Sequence, residues 1–114
     1  MKHYGLFFRT GRTLTPEELK QRAIDIQLWV KRVTEMGITL DPRGLGETTR
    51  FSTEGGAVVS DAGPIDPALT TIVFFDSASS EQAAEIARIH PGLRYGVSVE
   101  LREWSAPRPI AARP

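Results

Sequence analysis

Aromatic and apolar residues dominate the start of the chain, and apolar positions at helical spacing follow. Residues 4–9 predict a first strand. Thr15-Pro16-Glu17-Glu18 has the pattern of a helix N-terminus: an N-cap threonine, a proline at the first helical position and a glutamate three residues after the cap. The spacing predicts a helix over 16–36, ended by Gly37. Its predicted apolar positions are Leu19, Ala23, Ile26, Val30 and Val33. Glu18 also precedes Arg22 by four residues, a spacing that favours a helical ion pair.

The middle of the chain is rich in glycine and proline and predicts shorter elements. Residues 38–40 read as a strand that Asp41-Pro42 interrupts. A candidate strand follows at 48–52, and Gly55-Gly56 predicts a hairpin turn before the apolar residues 57–59. Residues 61–67, with two aspartates, a glycine and two prolines, predict a loop.

The second half of the chain predicts two further strands around one helix. Residues 69–75 are rich in β-branched and aromatic residues. A helix is predicted from Ser79, with Gln82 as its capping partner, as far as Pro91. Residues 95–104 alternate strictly between an apolar and a polar face. The apolar positions are Val97, Val99 and Leu101, and the polar positions are Ser98, Glu100 and Arg102.

This element order predicts an α+β domain with a ferredoxin-like split βαβ sheet over residues 1–104, with both helices on one face. Residues 105–114 read as a loose tail that contains proline and arginine. The uncovered sheet face would carry Phe7, either Ile72 or Val73, and either Phe74 or Phe75. Because large apolar patches are rare on monomers, we expect a homodimer that closes a dimeric α+β barrel.

The charge balance and the lack of cysteine exclude several function classes. Lys plus Arg (14) equals Asp plus Glu (14), so no net field favours nucleic acid or a membrane surface. With no cysteine, disulfides, thiolate catalysis and cysteine-bound zinc are excluded. No cofactor or metal site is predicted. The N-terminal apolar run is too short for a signal sequence, so we expect a cytoplasmic protein.

Two residues are candidates for proton transfer. His90 precedes Pro91 at the predicted end of the second helix, where the helix dipole would favour its imidazolium form. The alternative role for His90 is a helix cap. Asp61 precedes Gly63-Pro64 and either transfers a proton or forms the hydrogen bonds of its own turn.

A candidate binding cleft follows from the strand alternation. Arg9, Glu100 and Arg102 would face the interior of the dimer, either as a salt-bridge network or as a site for a small carboxylate or phosphate. Trp29 is a candidate for the core or for the wall of the cleft.

Several of these segments together resemble the YCII-related family, in its DGPF-domain branch. They are the first strand ending in Arg9, the helix with Trp29, the loop Ser60-Asp61-Ala62-Gly63-Pro64, and His90-Pro91 followed by residues 98–102. The family's Asp-Gly-Pro-Phe reads here Asp61-Ala62-Gly63-Pro64-Ile65, and the histidine that some relatives carry in the first helix is absent. The resemblance implies a bacterial protein and the dimeric α+β barrel, but no defined activity.

Two functions are therefore expected from the sequence. The first is a small-molecule cleft protein, such as an isomerase or lyase of a carboxylated compound, with His90 or Asp61 moving a proton. The second is a non-catalytic sensor or protein-interaction domain.

Overall fold

The computed structural model describes residues 1–106, so most of the predicted tail lies outside the described residues. The elements in chain order are β1 (Lys2–Arg9), α1 (Pro16–Glu35), β2 (Asp41–Gly44), β3 (Thr49–Glu54), β4 (Ala57–Ala62), β5 (Leu69–Ser77), α2 (Ser80–Arg88), a 3-10 helix (Pro91–Tyr95) and β6 (Ser98–Trp104). Four strands form one antiparallel sheet in the order β2-β5-β1-β6, and β3 and β4 form a separate hairpin. The α+β prediction is confirmed, and the topology is compatible with a ferredoxin-like fold.

The start of α1 forms as predicted. The Thr15 hydroxyl accepts a hydrogen bond from the Glu18 backbone N–H at 3.2 Å. The Glu18 carboxylate in turn accepts one from the Thr15 backbone N–H at 3.1 Å, which completes the capping box. The helix ends at Glu35, and Gly37 takes a positive φ.

The buried face of α1 contains only some of the apolar positions whose spacing predicts the helix. Val33 is buried and Ile26 is half-buried, whereas Leu19, Ala23 and Val30 are exposed. Trp29, which is not one of those positions, is buried. The helix turns its largest apolar side chain, Trp29, toward the sheet, because burying a tryptophan removes more apolar surface from water than burying a leucine or a valine.

The second strand also differs from its prediction. The structure places it at Asp41–Gly44, after the predicted residues 38–40, with Pro42 inside it. Proline is tolerated there because β2 lies at the edge of the sheet, where a strand needs backbone partners on one side only. Ile38 instead packs into the core.

The hairpin of β3 and β4 projects from the sheet, and nearly all of its residues are exposed. Gly55 and Gly56 both have positive φ, as the predicted turn requires. The chain has a radius of gyration of 17.5 Å, against about 13 Å for a compact chain of this length. Asp61 lies in β4 opposite Arg50, so the predicted loop at this position is wrong.

Both helices pack on one face of the sheet, and the other face is uncovered. Tyr4, Leu6 and Phe8 of β1 point into the core beside the buried helix residues. On the opposite face, Phe7 pairs with Ile72, and Phe74 lies opposite Gly5. The uncovered face therefore carries Ile72 rather than Val73, and Phe74 rather than Phe75. Within residues 1–106, no helix is long and apolar enough to cross a membrane.

Candidate functional site

A cavity of about 650 Å³ lies between α1 and the helix-facing side of the sheet. Its walls are mostly apolar, with three threonines, one arginine and one histidine among them. The apolar side chains include Phe8, Ile26, Trp29, Leu40, Val73 and Val97, and the charged or titratable ones are Arg22 and His90. This volume and lining are typical of sites for small organic molecules.

His90 is fixed in one tautomer by the backbone that follows it. It is the N-cap of the 3-10 helix, and its Nδ1 accepts a hydrogen bond from the Gly92 N–H at 3.0 Å. The neutral ring must therefore carry its proton on Nε2. Nε2 makes no hydrogen bond with the described residues. It is also not fully buried, since the one fully buried side-chain polar atom without a partner in this part of the chain is the Tyr4 hydroxyl oxygen. It is therefore accessible as a donor.

The environment of His90 favours the neutral imidazole. The ring lies 4.6 Å from the ring centres of both Phe8 and Trp29. Burial lowers the pKa of His90 to about 4, and the positive charge of Arg22 contributes to the shift. The helix dipole was expected to favour imidazolium, but this side chain caps the start of the 3-10 helix, and the cost of desolvating the charged ring dominates.

Arg22 is the one positively charged side chain among the residues that line this cavity. Its predicted partner, Glu18, instead forms a two-point contact with Arg12, with Nη2 to Oε2 at 2.8 Å. The hydrogen bond from Arg12 lowers the pKa of Glu18 to about 2. Among residues 1–106, the side chain of Arg22 has no hydrogen bond or ion pair, so its guanidinium donors are available to a ligand.

Trp29 forms part of the cavity wall and also joins the two helices. It is 5% exposed, and its indole Nε1–H donates to the Ile86 carbonyl at 3.1 Å. That carbonyl belongs to the last turn of α2, where backbone acceptors have no partner within the helix. Both roles expected for Trp29, core and cleft wall, are compatible with this position.

The predicted charge cluster lies on the opposite face of the sheet, away from the cavity. Arg9 donates to Asp66 at 2.7 Å and to Glu100 at 3.0 Å. Its hydrogen bond lowers the pKa of Asp66. Arg102 lies on the same face opposite Gly5, without an ion pair within the described part of the chain. The network therefore contains Arg9 and Glu100 as expected, with Asp66 as its third member.

The structure separates the two proton-transfer candidates. His90 lines the cavity, whereas Asp61 lies on the exposed hairpin and is not part of the cavity wall. Sequence reasoning selected His90 and Trp29 but missed Arg22. The available signal was that Arg22 shares a helical face with Ile26, Trp29 and Val33. Within residues 1–106, no three histidine or acidic side chains converge in a way that could hold a metal ion.

Comparison of the chain with models of known protein families and with curated protein sequences finds no match. The resemblance to the YCII-related family therefore stays a prediction.

Proposed function

We propose that this chain binds a small organic anion in the cavity between α1 and the sheet. Arg22 would hold a carboxylate or phosphate group, and the His90 Nε2–H would donate to a second oxygen of the ligand. The apolar walls would enclose the organic body. The observation that carries the proposal is that Arg22, whose side chain has no partner within residues 1–106, and the neutral imidazole of His90 line the same largely apolar cavity.

A binding role is better supported than proton transfer by His90. Its Nδ1 is occupied by the Gly92 N–H, and in the neutral ring Nε2 carries a proton. The ring therefore has no free lone pair with which to act as a general base. A neutral imidazole N–H can polarise a carbonyl oxygen, as it does in known isomerases. An isomerase or lyase would need a separate base, and none of the residues that line the cavity is a carboxylate.

Replacing Arg22 with glutamine should weaken the binding of benzoate roughly 10- to 100-fold, because a charge-assisted hydrogen bond is lost. Isothermal titration of the full chain with benzoate, and with uncharged benzyl alcohol, measures this. Arg50→Gln is the matched control, since Arg50 lies on the exposed hairpin. Equal binding of the two compounds, or equal loss in both variants, would contradict the proposal.

A second candidate function is self-association through the uncovered sheet face. This face carries the half-buried Phe7, Ile72 and Phe74 and the 48% exposed Trp104. Charges of both signs surround them, including Arg9 with Asp66 and Glu100. A two-fold contact brings a surface against itself, so an apolar centre with charges of both signs around it suits a second copy. A dimer closed in this way would be the expected dimeric α+β barrel.

Sedimentation of the wild-type chain at micromolar concentration should give about twice its mass of 12.6 kDa. Phe74→Asp should shift the protein to the monomer, because a charge would be placed in the apolar contact. Leu28→Asp should leave the dimer intact, since Leu28 is exposed on α1, on the other side of the sheet. A wild-type monomer, or a dimer that survives Phe74→Asp, would exclude this interface.

A further inference from the structure

A second cavity, of about 490 Å³, lies between α1 and the segment from the end of α2 to the 3-10 helix, and arginines from three different elements line it. Arg32 comes from α1, Arg88 from the end of α2 and Arg94 from the 3-10 helix. We call this cavity the arginine groove. None of the three arginines belongs to the cavity described above.

Asp25 is the one carboxylate that lines the arginine groove, and it is already engaged by three donors. Gln21 donates to Oδ1 at 2.9 Å and Tyr95 donates to Oδ2 at 2.8 Å. Arg94 forms the third contact, with its Nη2 3.4 Å from Oδ2. The Asp25 side chain is 14% exposed, so little of its carboxylate surface faces the groove. Its contact with Arg94 orients that arginine.

The arginines of the groove keep most of their donors unused. Arg88 contacts Glu85 at 2.6 Å through one nitrogen, and the side chain of Arg32 has no ion pair or hydrogen bond within residues 1–106. Asp25 pairs with Arg94 and Glu85 pairs with Arg88, so the three arginines and their two acidic partners carry one net formal positive charge. This local excess, together with the unused donors of the guanidinium groups, favours an anion.

The chemistry of the arginine groove combines this charge with exposed apolar surface. Guanidinium groups bind phosphate oxygens in pairs, which gives both geometry and affinity. Leu28 is 61% exposed and Leu93 is 45% exposed, and both border the same groove. We propose that the arginine groove binds a phosphorylated small organic molecule, with the phosphate on Arg32, Arg88 and Arg94 and the organic part against the two leucines.

Titration of the full chain with phenyl phosphate and with inorganic phosphate, at low ionic strength, tests this proposal. Because the site proposed under α1 can also hold a phosphate, the affinity is measured in the wild type and in the Arg22→Gln background, which removes the anion ligand of that cavity. In this background we expect one-to-one binding, tighter for phenyl phosphate, that a further Arg32→Gln weakens at least tenfold. Arg50→Gln controls for general electrostatic attraction and should not change the affinity.

Each alternative result has a defined meaning. Loss of binding in Arg22→Gln but not in Arg32→Gln would assign the phosphate to the other cavity and overturn this proposal. Equal loss in Arg50→Gln would reduce the effect to overall charge. Equal affinity for the two phosphates would remove the role of the leucines, and no binding to either would overturn the site altogether.

Discussion

Lowering the pH from 7 to 4 should remove about 3 kcal/mol of unfolding free energy through His90 alone. The ordinary histidine pKa of 6.5 applies to the unfolded chain, whereas burial lowers the pKa of His90 in the folded chain to about 4. Between these values the unfolded chain takes up a proton that the folded chain does not. The stabilisation is therefore complete above pH 6.5 and is lost as the pH falls toward 4.

Denaturant unfolding of the wild type and of His90→Asn at pH 7, 5.5 and 4 measures this contribution. Asparagine can still accept the hydrogen bond from the Gly92 N–H, so the N-cap of the 3-10 helix is kept. Carboxylates whose pKa the fold lowers, such as Asp66 beside Arg9, are the same in both proteins, so their contributions cancel in the comparison. The wild type should lose about 3 kcal/mol more than the variant, and parallel losses would contradict the effect of burial.

Replacing Trp29 with alanine should destabilise the fold by about 3 to 5 kcal/mol, the range for truncating a buried aromatic side chain. Trp29 is 5% exposed and lines both the cavity under α1 and the arginine groove, so its removal would join the two spaces. The Ile86 carbonyl would also lose the indole donor.

Trp29→Phe separates the loss of buried volume from the loss of the hydrogen bond. Phenylalanine keeps most of the apolar volume but leaves the Ile86 carbonyl without its partner. We expect a loss of roughly 1 to 3 kcal/mol for that variant. Leu28→Ala, at an exposed neighbouring position, should stay within about 0.5 kcal/mol of the wild type. Urea unfolding of the three variants gives these values, and equal losses for alanine at positions 28 and 29 would show that Trp29 does not hold the helices together.

Local signals in the sequence were sufficient for most elements of the fold. The Thr15 capping box, the Gly55-Gly56 turn and the alternation of β6 each depend on neighbours within a few residues, and each was predicted. The edge strand β2 was misplaced because proline is rare in strands except at the edge of a sheet, and the sequence does not show that β2 lies at the edge. The second strand of the hairpin was predicted at residues 57–59, but it continues to Ala62, because Asp61, a turn-forming residue type, pairs with Arg50 across the hairpin.

The candidate site depended more on tertiary structure. His90 and Trp29 were singled out by residue type, but which face of α1 meets the sheet is decided by packing, and that choice brings Arg22 to the cavity. The spacing of Glu18 and Arg22 favoured an ion pair, but Arg12, brought back by the loop before α1, takes that carboxylate. The Arg9 network likewise includes Asp66, which lies 57 positions further along the chain.

The projecting hairpin of β3 and β4 divides the chain into two units of local stability. An isolated two-stranded hairpin is marginally stable in water, whereas the central strands β1 and β5 are held from both sides. The backbone amides of the hairpin should therefore exchange with solvent through local opening, while those of β1 exchange only when the whole domain unfolds. If a second copy covers the hairpin, the protection of the hairpin amides against exchange will rise with protein concentration. The protection of the β1 amides will then measure the stability of the dimer.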